Sequence, residues 1–125
     1  GVLIKDNHLA AIGGENRIAD AVKAARAVAP HTLKIEVEVT SLEELSLALD
    51  AGADIVMLDN MVTESIREAV AIRNAHSNHA LLEASGNITL ERLPELAETG
   101  VDLISAGALT HSAPSLDISL NITLN

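Results

Sequence analysis

The sequence has no phenylalanine, tyrosine, tryptophan or cysteine. Without aromatic side chains, the core must be built from leucine, isoleucine, valine and alanine, which suits close packing of helices on a sheet. Without cysteine, the chain forms no disulfide and no Cys-ligated zinc or iron–sulfur site, and we therefore expect a cytoplasmic protein. No apolar run approaches the roughly 20 residues that a membrane span requires. No signal peptide is visible, although the chain begins with Gly1 rather than with methionine.

Basic residues are also scarce. Eight lysines and arginines face eighteen aspartates and glutamates, which gives a formal net charge of −10. A nucleic-acid-binding protein needs a concentrated basic surface, so this class is excluded, and the acidity indicates a well-solvated surface. Aliphatic residues are plentiful instead. With 48% hydrophobic residues, the 125-residue chain has enough apolar material for the core of a single domain.

Short aliphatic runs alternate with segments of helical periodicity. Five runs predict strands: "VLIK" (2–5), "KIEVEV" (34–39), "DIVML" (54–58), "ALLEA" (80–84) and "DLISA" (102–106). A capping box, Ser41 with Glu44, predicts the start of one helix, and Gly52 and Gly100 mark the ends of two. The alternation predicts a parallel sheet covered by helices, either doubly wound or a β/α barrel. The run "LDISLNI" (116–122) predicts a further strand or a short helix.

Each predicted strand ends in polar residues, and this favours the barrel. In parallel α/β folds the functional side chains gather at the carboxyl ends of the strands. A complete barrel needs eight βα units and about 250 residues, whereas this sequence supplies about five strands. We therefore predict an α/β fold of the parallel β/α-barrel type, a partial or open TIM-like barrel with its helices outside.

Two acidic residues end consecutive predicted strands. In "KIEVEV" the aliphatic positions face the helices, whereas Lys34, Glu36 and Glu38 point into the barrel. Glu38 lies nearest the mouth, and Asp59 ends the next strand. Two carboxylates there repel each other unless a hard cation such as Mg²⁺, or donating sugar hydroxyls, lie between them. The alternative is structural: one internal ion network that includes Glu38, with Lys34 and Glu36 neutralising each other or other charges in the barrel, and a turn or N-cap role for Asp59.

Small residues follow the last two predicted strands, in "EASGNIT" (83–89) and "SAGALTHS" (105–112). They let backbone N–H groups approach a ligand closely, and barrel enzymes often bind phosphate with two adjacent late loops. These loops therefore predict a phosphate site, although glycine and serine are also ordinary turn residues. His111 would add a donor or a positive charge, or serve a structural role. In "LIKDNH", Lys5 and His8 are the basic groups best placed to face the site.

Taken in order, these motifs closely resemble the quinolinate phosphoribosyltransferases, also called carboxylating nicotinate-nucleotide pyrophosphorylases. The resemblance extends from residue 2 to residue 121 and rests on the segments "LIKDNH", "KIEVEV" with "LEEL", "AGADIVMLDNM", "LLEASGNITL", "TGVDLISAGALTHS" and "LDISL". It implies a pentosyltransferase of de novo NAD synthesis that joins quinolinate to phosphoribosyl pyrophosphate. Pyrophosphate and carbon dioxide are released, and nicotinate mononucleotide is formed. The resemblance also implies a requirement for Mg²⁺ and a homodimer.

The resemblance assigns roles to single residues. It implies that Lys5, Glu38 and Asp59 are catalytic, and that Lys5 and His8 line the quinolinate and pyrophosphate region. It places Glu38 and Asp59 at the ribose hydroxyls and, through water, at Mg²⁺. The residues that match the family's 5′-phosphate cradle are Ser85, Gly86, Ser105, Gly107 and His111. Carboxylates beside the ribose would stabilise the positive charge that builds there as pyrophosphate leaves.

The family's N-terminal α/β domain and first barrel strands have no counterpart in this sequence. They carry the basic residues that bind the two carboxylates of quinolinate. We therefore expect residues 1–125 to be the C-terminal part of a β/α-barrel catalytic domain, inactive without the missing portion. Two alternatives stay open. One is a related barrel phosphoribosyltransferase with another acceptor, such as the molybdenum-transport-associated homologues. The other is a non-enzymatic partial barrel that binds a phosphate ligand or packs against a partner.

Overall fold

Strands and helices alternate along residues 1–111, the part of the chain that the computed structural model describes, with the exception of the His111 side chain. In chain order the elements are β1 (Val2–Ile4), α1 (Asp6–Ile12), α2 (Arg17–Val28), β2 (Ile35–Val39), α3 (Leu42–Asp50), β3 (Ile55–Asp59), α4 (Thr63–Ala75), β4 (Leu81–Ser85), α5 (Leu93–Ala97), β5 (Leu103–Ser105) and α6 (Ala108–His111). The predicted element at 116–122 lies outside the described residues. Within the described part, no helix has both the length and the apolar character needed to cross a membrane.

The five strands form one sheet, in which they lie side by side in the order of the chain. Every neighbouring pair is parallel. A doubly wound sheet reverses its strand order at a switch point, and these five strands do not reverse. Right-handed crossovers in a sheet of constant direction place the helices on one face. The prediction of an open, partial β/α barrel is therefore confirmed.

The face of the sheet under the helices forms the core. On β2, Ile35, Val37 and Val39 have no exposed surface, and Leu45 and Leu49 of α3 are equally buried above the sheet. Each such side chain contributes about 1.5–3 kcal/mol by leaving water. The alternation predicted for "KIEVEV" is confirmed, because the intervening glutamates lie on the opposite, inner face.

Helix α3 begins with a variant of the predicted capping box. The Ser41 hydroxyl accepts a hydrogen bond from the Glu44 N–H at 3.2 Å, as expected. The Glu44 carboxylate, however, accepts from the N–H and the hydroxyl of Thr40 rather than from the N–H of Ser41. The helix ends before Gly52, which has a φ of 79°, in the left-handed region that favours glycine.

Helix α1 was not predicted from the sequence. Strand β1 ends at Ile4, one residue earlier than expected, and Lys5 becomes the N-cap of the helix. The ring Nδ1 of His8 accepts a hydrogen bond from the Lys5 N–H at 2.9 Å. Leu9 is the only buried residue of this short helix. One buried position is too little to produce a helical pattern in the sequence.

An aspartate–arginine pair joins β2 and β3 at their amino ends. The Asp54 N–H donates to the carbonyl of Ile35 at 2.9 Å, and the Ile35 N–H donates back to Asp54 Oδ2 at 2.7 Å. Arg26 of α2 reaches the same oxygen at 2.9 Å. Burial alone would raise the pKa of Asp54, but the hydrogen bond from Ile35 and the Arg26 charge lower it overall.

The same arrangement recurs between β4 and β5. The Asp102 N–H donates to the Leu82 carbonyl at 3.0 Å, and the Leu82 N–H donates to Asp102 Oδ2 at 2.8 Å. Arg73 of α4 contacts this oxygen at 2.7 Å and also donates to the carbonyl of Ala80. Burial opposes the shift here too, yet the pKa of Asp102 is lowered by the Leu82 hydrogen bond and by Arg73. Both pairs lie at the amino ends, where barrel residues serve stability rather than function.

Candidate active site

Polar side chains gather on the inner face of the sheet near the carboxyl ends of the strands. The strand register pairs Asp59 with Ser85 and Ser85 with Ser105, so these residues form one row across β3, β4 and β5. Glu38 of β2 is paired with Met57 and lies one layer below that row. Because β strands of a parallel sheet end at the same edge, residues distant in sequence share one site.

Lys5 forms an ion pair with Glu38. The Lys5 Nζ lies 2.8 Å from Glu38 Oε2, and the Glu38 side chain is only 13% exposed. The hydrogen bond with Glu38, and then its charge, raise the pKa of Lys5, and the charge of Asp59 adds to the effect. Lys5 is thus a permanent cation in the field of both carboxylates. It relieves part of the repulsion that the sequence predicted between them.

Glu38 and Asp59 are not directly opposite each other. Asp59 lies two residues beyond Met57, the partner of Glu38 in the ladder. One strand spacing across and two residues along correspond to roughly 8 Å between the two Cα atoms. The Asp59 carboxylate accepts a hydrogen bond from the side chain of Asn60 at 2.9 Å. This separation leaves room for a ligand between the two carboxylates.

Glu38 and Asp59 suit a hydrated metal ion better than a directly bound one. Among residues 1–110, whose side chains the structure describes, no group of three or more His, Asp or Glu side chains is placed to hold a metal. Mg²⁺ prefers carboxylate oxygens, usually keeps several waters and needs only one or two carboxylates from the protein. The donor set therefore fits Mg²⁺ held through water, and its binding stays a prediction.

Ser85, Gly86 and Gly107 line one open cleft of about 460 Å³ beyond the ends of β4 and β5. The two predicted phosphate loops therefore meet. Gly86 has a φ of 84°, and a Cβ atom there would lie 2.3 Å from Oδ1 of Asn60. No residue other than glycine fits this position without a local rearrangement.

The other two residues of the predicted phosphate cradle are placed differently. The Ser105 hydroxyl donates a hydrogen bond to the carboxylate of Glu83 on the inner face, so it is engaged there. The backbone of His111 belongs to α6, beside the cleft residue Ala108. Its side chain lies outside the described part. The phosphate roles of both residues stay predictions.

His8 lies in the first turn of α1, at the same end of the sheet as Lys5. Because its Nδ1 accepts a hydrogen bond from the Lys5 N–H, the proton of the neutral ring is on Nε2. The exposed ring can therefore donate to an anion while it also caps the helix.

Of the two neutralisations considered for Lys34 and Glu36, the one that pairs them with each other is wrong. Strand β2 begins at Ile35, so Lys34 precedes the strand and is exposed. Glu36 Oε1 is buried and has no hydrogen-bond partner among the described residues. Burial, and then the charge of Glu83, raise the pKa of Glu36. Glu83 itself was missed, although alternation along "ALLEA" places it on the inner face.

The comparison with known proteins agrees with this geometry. A family model described as "Quinolinate phosphoribosyl transferase, C-terminal domain" matches residues 1–121. The chain belongs to this family. The resemblance inferred from the sequence motifs is therefore confirmed.

Two relatives share nearly half of their aligned residues with this family member. A probable nicotinate-nucleotide pyrophosphorylase (carboxylating) of Bacillus subtilis is 47% identical over 125 residues, which is 100% of this chain and 41% of that protein. The nicotinate-nucleotide pyrophosphorylase (carboxylating) of Homo sapiens is 46% identical over 121 residues, 97% of this chain and 40% of that protein. The chain thus spans about 40% of the length of these relatives.

A solved structure shows the same fold. The nicotinate-nucleotide pyrophosphorylase from Francisella tularensis superposes with a TM-score of 0.75 at 47% identity. The match covers 88% of this chain and 37% of that one. The partial barrel described above is therefore the C-terminal portion of the family's larger architecture.

Proposed function

We propose that this chain holds phosphoribosyl pyrophosphate in the active site of a quinolinate phosphoribosyltransferase. One observation carries the proposal: the Lys5–Glu38 pair, Asp59 and the cleft at Gly86 and Gly107 lie along one edge of one sheet. The complete enzyme would join quinolinate to the ribose and release pyrophosphate and carbon dioxide, forming nicotinate mononucleotide. The description of the matching family model, which names quinolinate, supports this acceptor, and the carboxylating pyrophosphorylases among the relatives agree with it.

The geometry suggests how the substrate lies. The 5′-phosphate occupies the cleft at Ser85 and Gly86, where small residues let backbone N–H groups approach it. Asp59 is the ladder partner of Ser85, so its carboxylate lies next to that cleft, within reach of the ribose hydroxyls. Glu38 lies one strand further on, and Lys5 and His8 lie beyond it, on the side where the pyrophosphate group extends.

The chemistry follows from the charges. As the bond between C1′ and the pyrophosphate oxygen breaks, positive charge develops on the ribose, and Glu38 and Asp59 stabilise it. Lys5 stabilises the leaving oxygens. The quinolinate nitrogen bonds to C1′ and becomes positively charged. The adjacent carboxylate then leaves as carbon dioxide, and its bonding electrons stay on the ring carbon, which takes up a proton. Mg²⁺, when bound through water at Glu38 and Asp59, would neutralise part of the pyrophosphate charge.

The described residues do not provide a site for the two carboxylates of quinolinate. The formal net charge of −10 and the pairing of Lys5 with Glu38 leave little basic surface at this edge. The relatives are longer than this chain, which spans about 40% of their length. We propose that basic residues in the remaining portion of the enzyme bind these carboxylates. We also propose that the complete enzyme is a cytoplasmic homodimer.

A chimera tests the proposal. It joins the N-terminal portion of the Bacillus subtilis relative to this full chain, and formation of nicotinate mononucleotide is followed from quinolinate and phosphoribosyl pyrophosphate. We expect turnover by the chimera and none by the chain alone, because the acceptor site is incomplete. Substantial turnover by the chain alone would refute this division of the site.

Substitution of Asp59 tests the assigned role. In the chimera, Asp59→Asn should lower kcat by about 100-fold or more, since a preorganised charge at the ribose is lost, while the melting temperature changes little. The matched control is Asp20→Asn, the same chemical change at an exposed position of α2. A large loss of thermal stability with nearly normal turnover would instead show that Asp59 has a turn role.

A further inference from the structure

Two asparagine side chains connect the Asp59 carboxylate to the cleft. The Asn87 Nδ2 donates a hydrogen bond to Asn60 Oδ1 at 2.8 Å. The Asn60 Nδ2 in turn donates to Asp59 Oδ2 at 2.9 Å. Asn87 follows Gly86 directly and lines the same cleft. We call this connected pair, Asn60 and Asn87, the amide bridge.

The direction of these hydrogen bonds follows from the carboxylate. An ionised carboxylate only accepts hydrogen bonds, so the amide nitrogen of Asn60 must face Asp59. Its carbonyl oxygen then faces Asn87, which must present its own nitrogen. Each amide group therefore has one orientation that satisfies these two hydrogen bonds, and both amides donate in the direction of Asp59.

The backbone around the bridge adopts uncommon conformations. Asn60 has a φ of 54° and Asn87 a φ of 49°, and these are the two residues other than glycine with positive φ among the described residues. Gly86, with a φ of 84°, lies between Ser85, which is the ladder partner of Asp59, and Asn87. The left-handed region is unfavourable for residues with a Cβ, and asparagine tolerates it better than most.

The conformations bring the parts of the bridge into contact. Beyond the end of β3, the Asn60 N–H donates to the Ser85 carbonyl at 2.9 Å, which extends the pairing of β3 and β4 by one residue. The side chain of Asn60 then lies against Gly86, where a Cβ would come within 2.3 Å of its oxygen. On the other side, Arg92 donates to the Asn87 carbonyl at 3.0 Å.

We infer that Asn60 is a positioning residue, which fixes the Asp59 carboxylate relative to the loop 85–87. The inference rests on the proposed function, in which Asp59 faces the ribose and the loop faces the 5′-phosphate. In phosphoribosyl pyrophosphate a single 5′-methylene group links the ribose to that phosphate, which limits the distance between the two groups. A hydrogen-bonded connection between their binding sites holds the ribose where the carboxylate stabilises its developing charge. Asn60 touches neither group and acts through Asp59.

Two substitutions in the chimera separate this role from a structural one. Asn60→Gly removes both side-chain bonds and tolerates the positive φ. Asn60→Asp keeps the oxygen that accepts from Asn87 but loses the donor to Asp59. We expect both to lower kcat by about 10- to 100-fold, as loss of a supporting group often does, with a smaller change in the KM for phosphoribosyl pyrophosphate. The control Asn16→Gly, at a helix N-cap without a side-chain bond, should leave kcat unchanged.

A double-variant cycle tests whether Asn60 acts through Asp59. In the Asp59→Asn background, Asn60→Gly should lower the residual kcat by only about 2-fold or less, because its target is already lost. The same fold loss in both backgrounds would overturn the inference, as would normal kcat in Asn60→Asp. The melting temperature of each variant identifies any that fails to fold, and Asn60→Asp, with its nearly unchanged shape, then decides the result. If the unaltered chimera has no turnover, the proposed function fails and the inference fails with it; a working chimera with an unaffected Asn60→Asp overturns the inference alone.

Discussion

The two aspartate–arginine pairs at the amino ends of the strands allow a quantitative test, because they share one geometry and have similarly exposed aspartates, at 24% and 32%, but differ in the burial of the arginine. In each pair, the carboxylate accepts a hydrogen bond from a strand N–H and contacts an arginine of the helix that precedes that strand. The Arg73 side chain is 11% exposed, whereas that of Arg26 is 45% exposed. We predict that Asp102→Asn destabilises the chain more than Asp54→Asn does.

The size of the difference follows from the exposure of the arginines. Removing one partner of a buried ion pair costs about 3–5 kcal/mol. The Asp102 side chain is 32% exposed, and asparagine keeps an oxygen for the Leu82 N–H, so we expect about 2 kcal/mol for Asp102→Asn. An ion pair with an exposed partner contributes about 0–1 kcal/mol, and Asp54→Asn should cost about 1 kcal/mol. The predicted difference is therefore about 1 kcal/mol.

Urea denaturation followed by circular dichroism at neutral pH measures this difference as a shift in midpoint at constant slope. In thermal denaturation it corresponds to a gap of about 4 °C between the two variants. Equal destabilisation by the two substitutions, or a larger effect of Asp54→Asn, would refute the reasoning. It would show that the exposure of the arginine does not set the strength of the pair.

Three further predictions concern the same chain. The pKa values of Asp54 and Asp102 are lowered in the folded state, so the stability that they provide is present above their unfolded pKa of about 3.9 and is lost as the pH falls through the lowered values. The destabilisation caused by Asp102→Asn, measured by urea denaturation, should therefore be smaller at pH 3 than at neutral pH. Glu36 has a raised pKa in the folded state, so its ionisation lowers the stability of the fold at pH values above the usual pKa of glutamate. Glu36→Gln should therefore raise the melting temperature at pH 7 but not at pH 3, and equal gains at both pH values would contradict this. Gly86→Ala should cost about 1–3 kcal/mol in urea denaturation, because the new Cβ meets Asn60 at a positive φ, and a stability within experimental error of the parent chain would show that the loop readjusts freely.

The strands were predictable from the sequence because their signal is local. Runs such as "KIEVEV" alternate between core and inner face with a period of two residues, and each observed strand of this sheet begins and ends within one residue of the predicted position. The order of the strands within the sheet could not be predicted from any one of these runs. It follows from the short connections and from the common handedness of the crossovers, and it distinguishes a barrel from a doubly wound sheet.

The site was predictable in its location and only partly in its contacts. Glu38 and Asp59 end predicted strands, and parallel strands bring their carboxyl ends to one edge whatever their exact pairing. The two-residue offset between these acids depends on strand register, which is set by packing of the whole sheet. The bonds from Ser105 to Glu83 and from Asn60 to Asp59 depend in addition on rotamers that no local pattern records.

The sequence by itself determined the fold class, the family and the edge of the sheet where chemistry belongs. Alternation, caps and strand-end polarity are properties of short segments, and the motifs are specific in combination. Only the tertiary structure decided which groups meet: Lys5 with Glu38 rather than Lys34 with Glu36, and Asn87 with Asn60 across the cleft edge. Those contacts join residues at least 27 positions apart, and their geometry comes from strand register and core packing, which a local pattern does not contain.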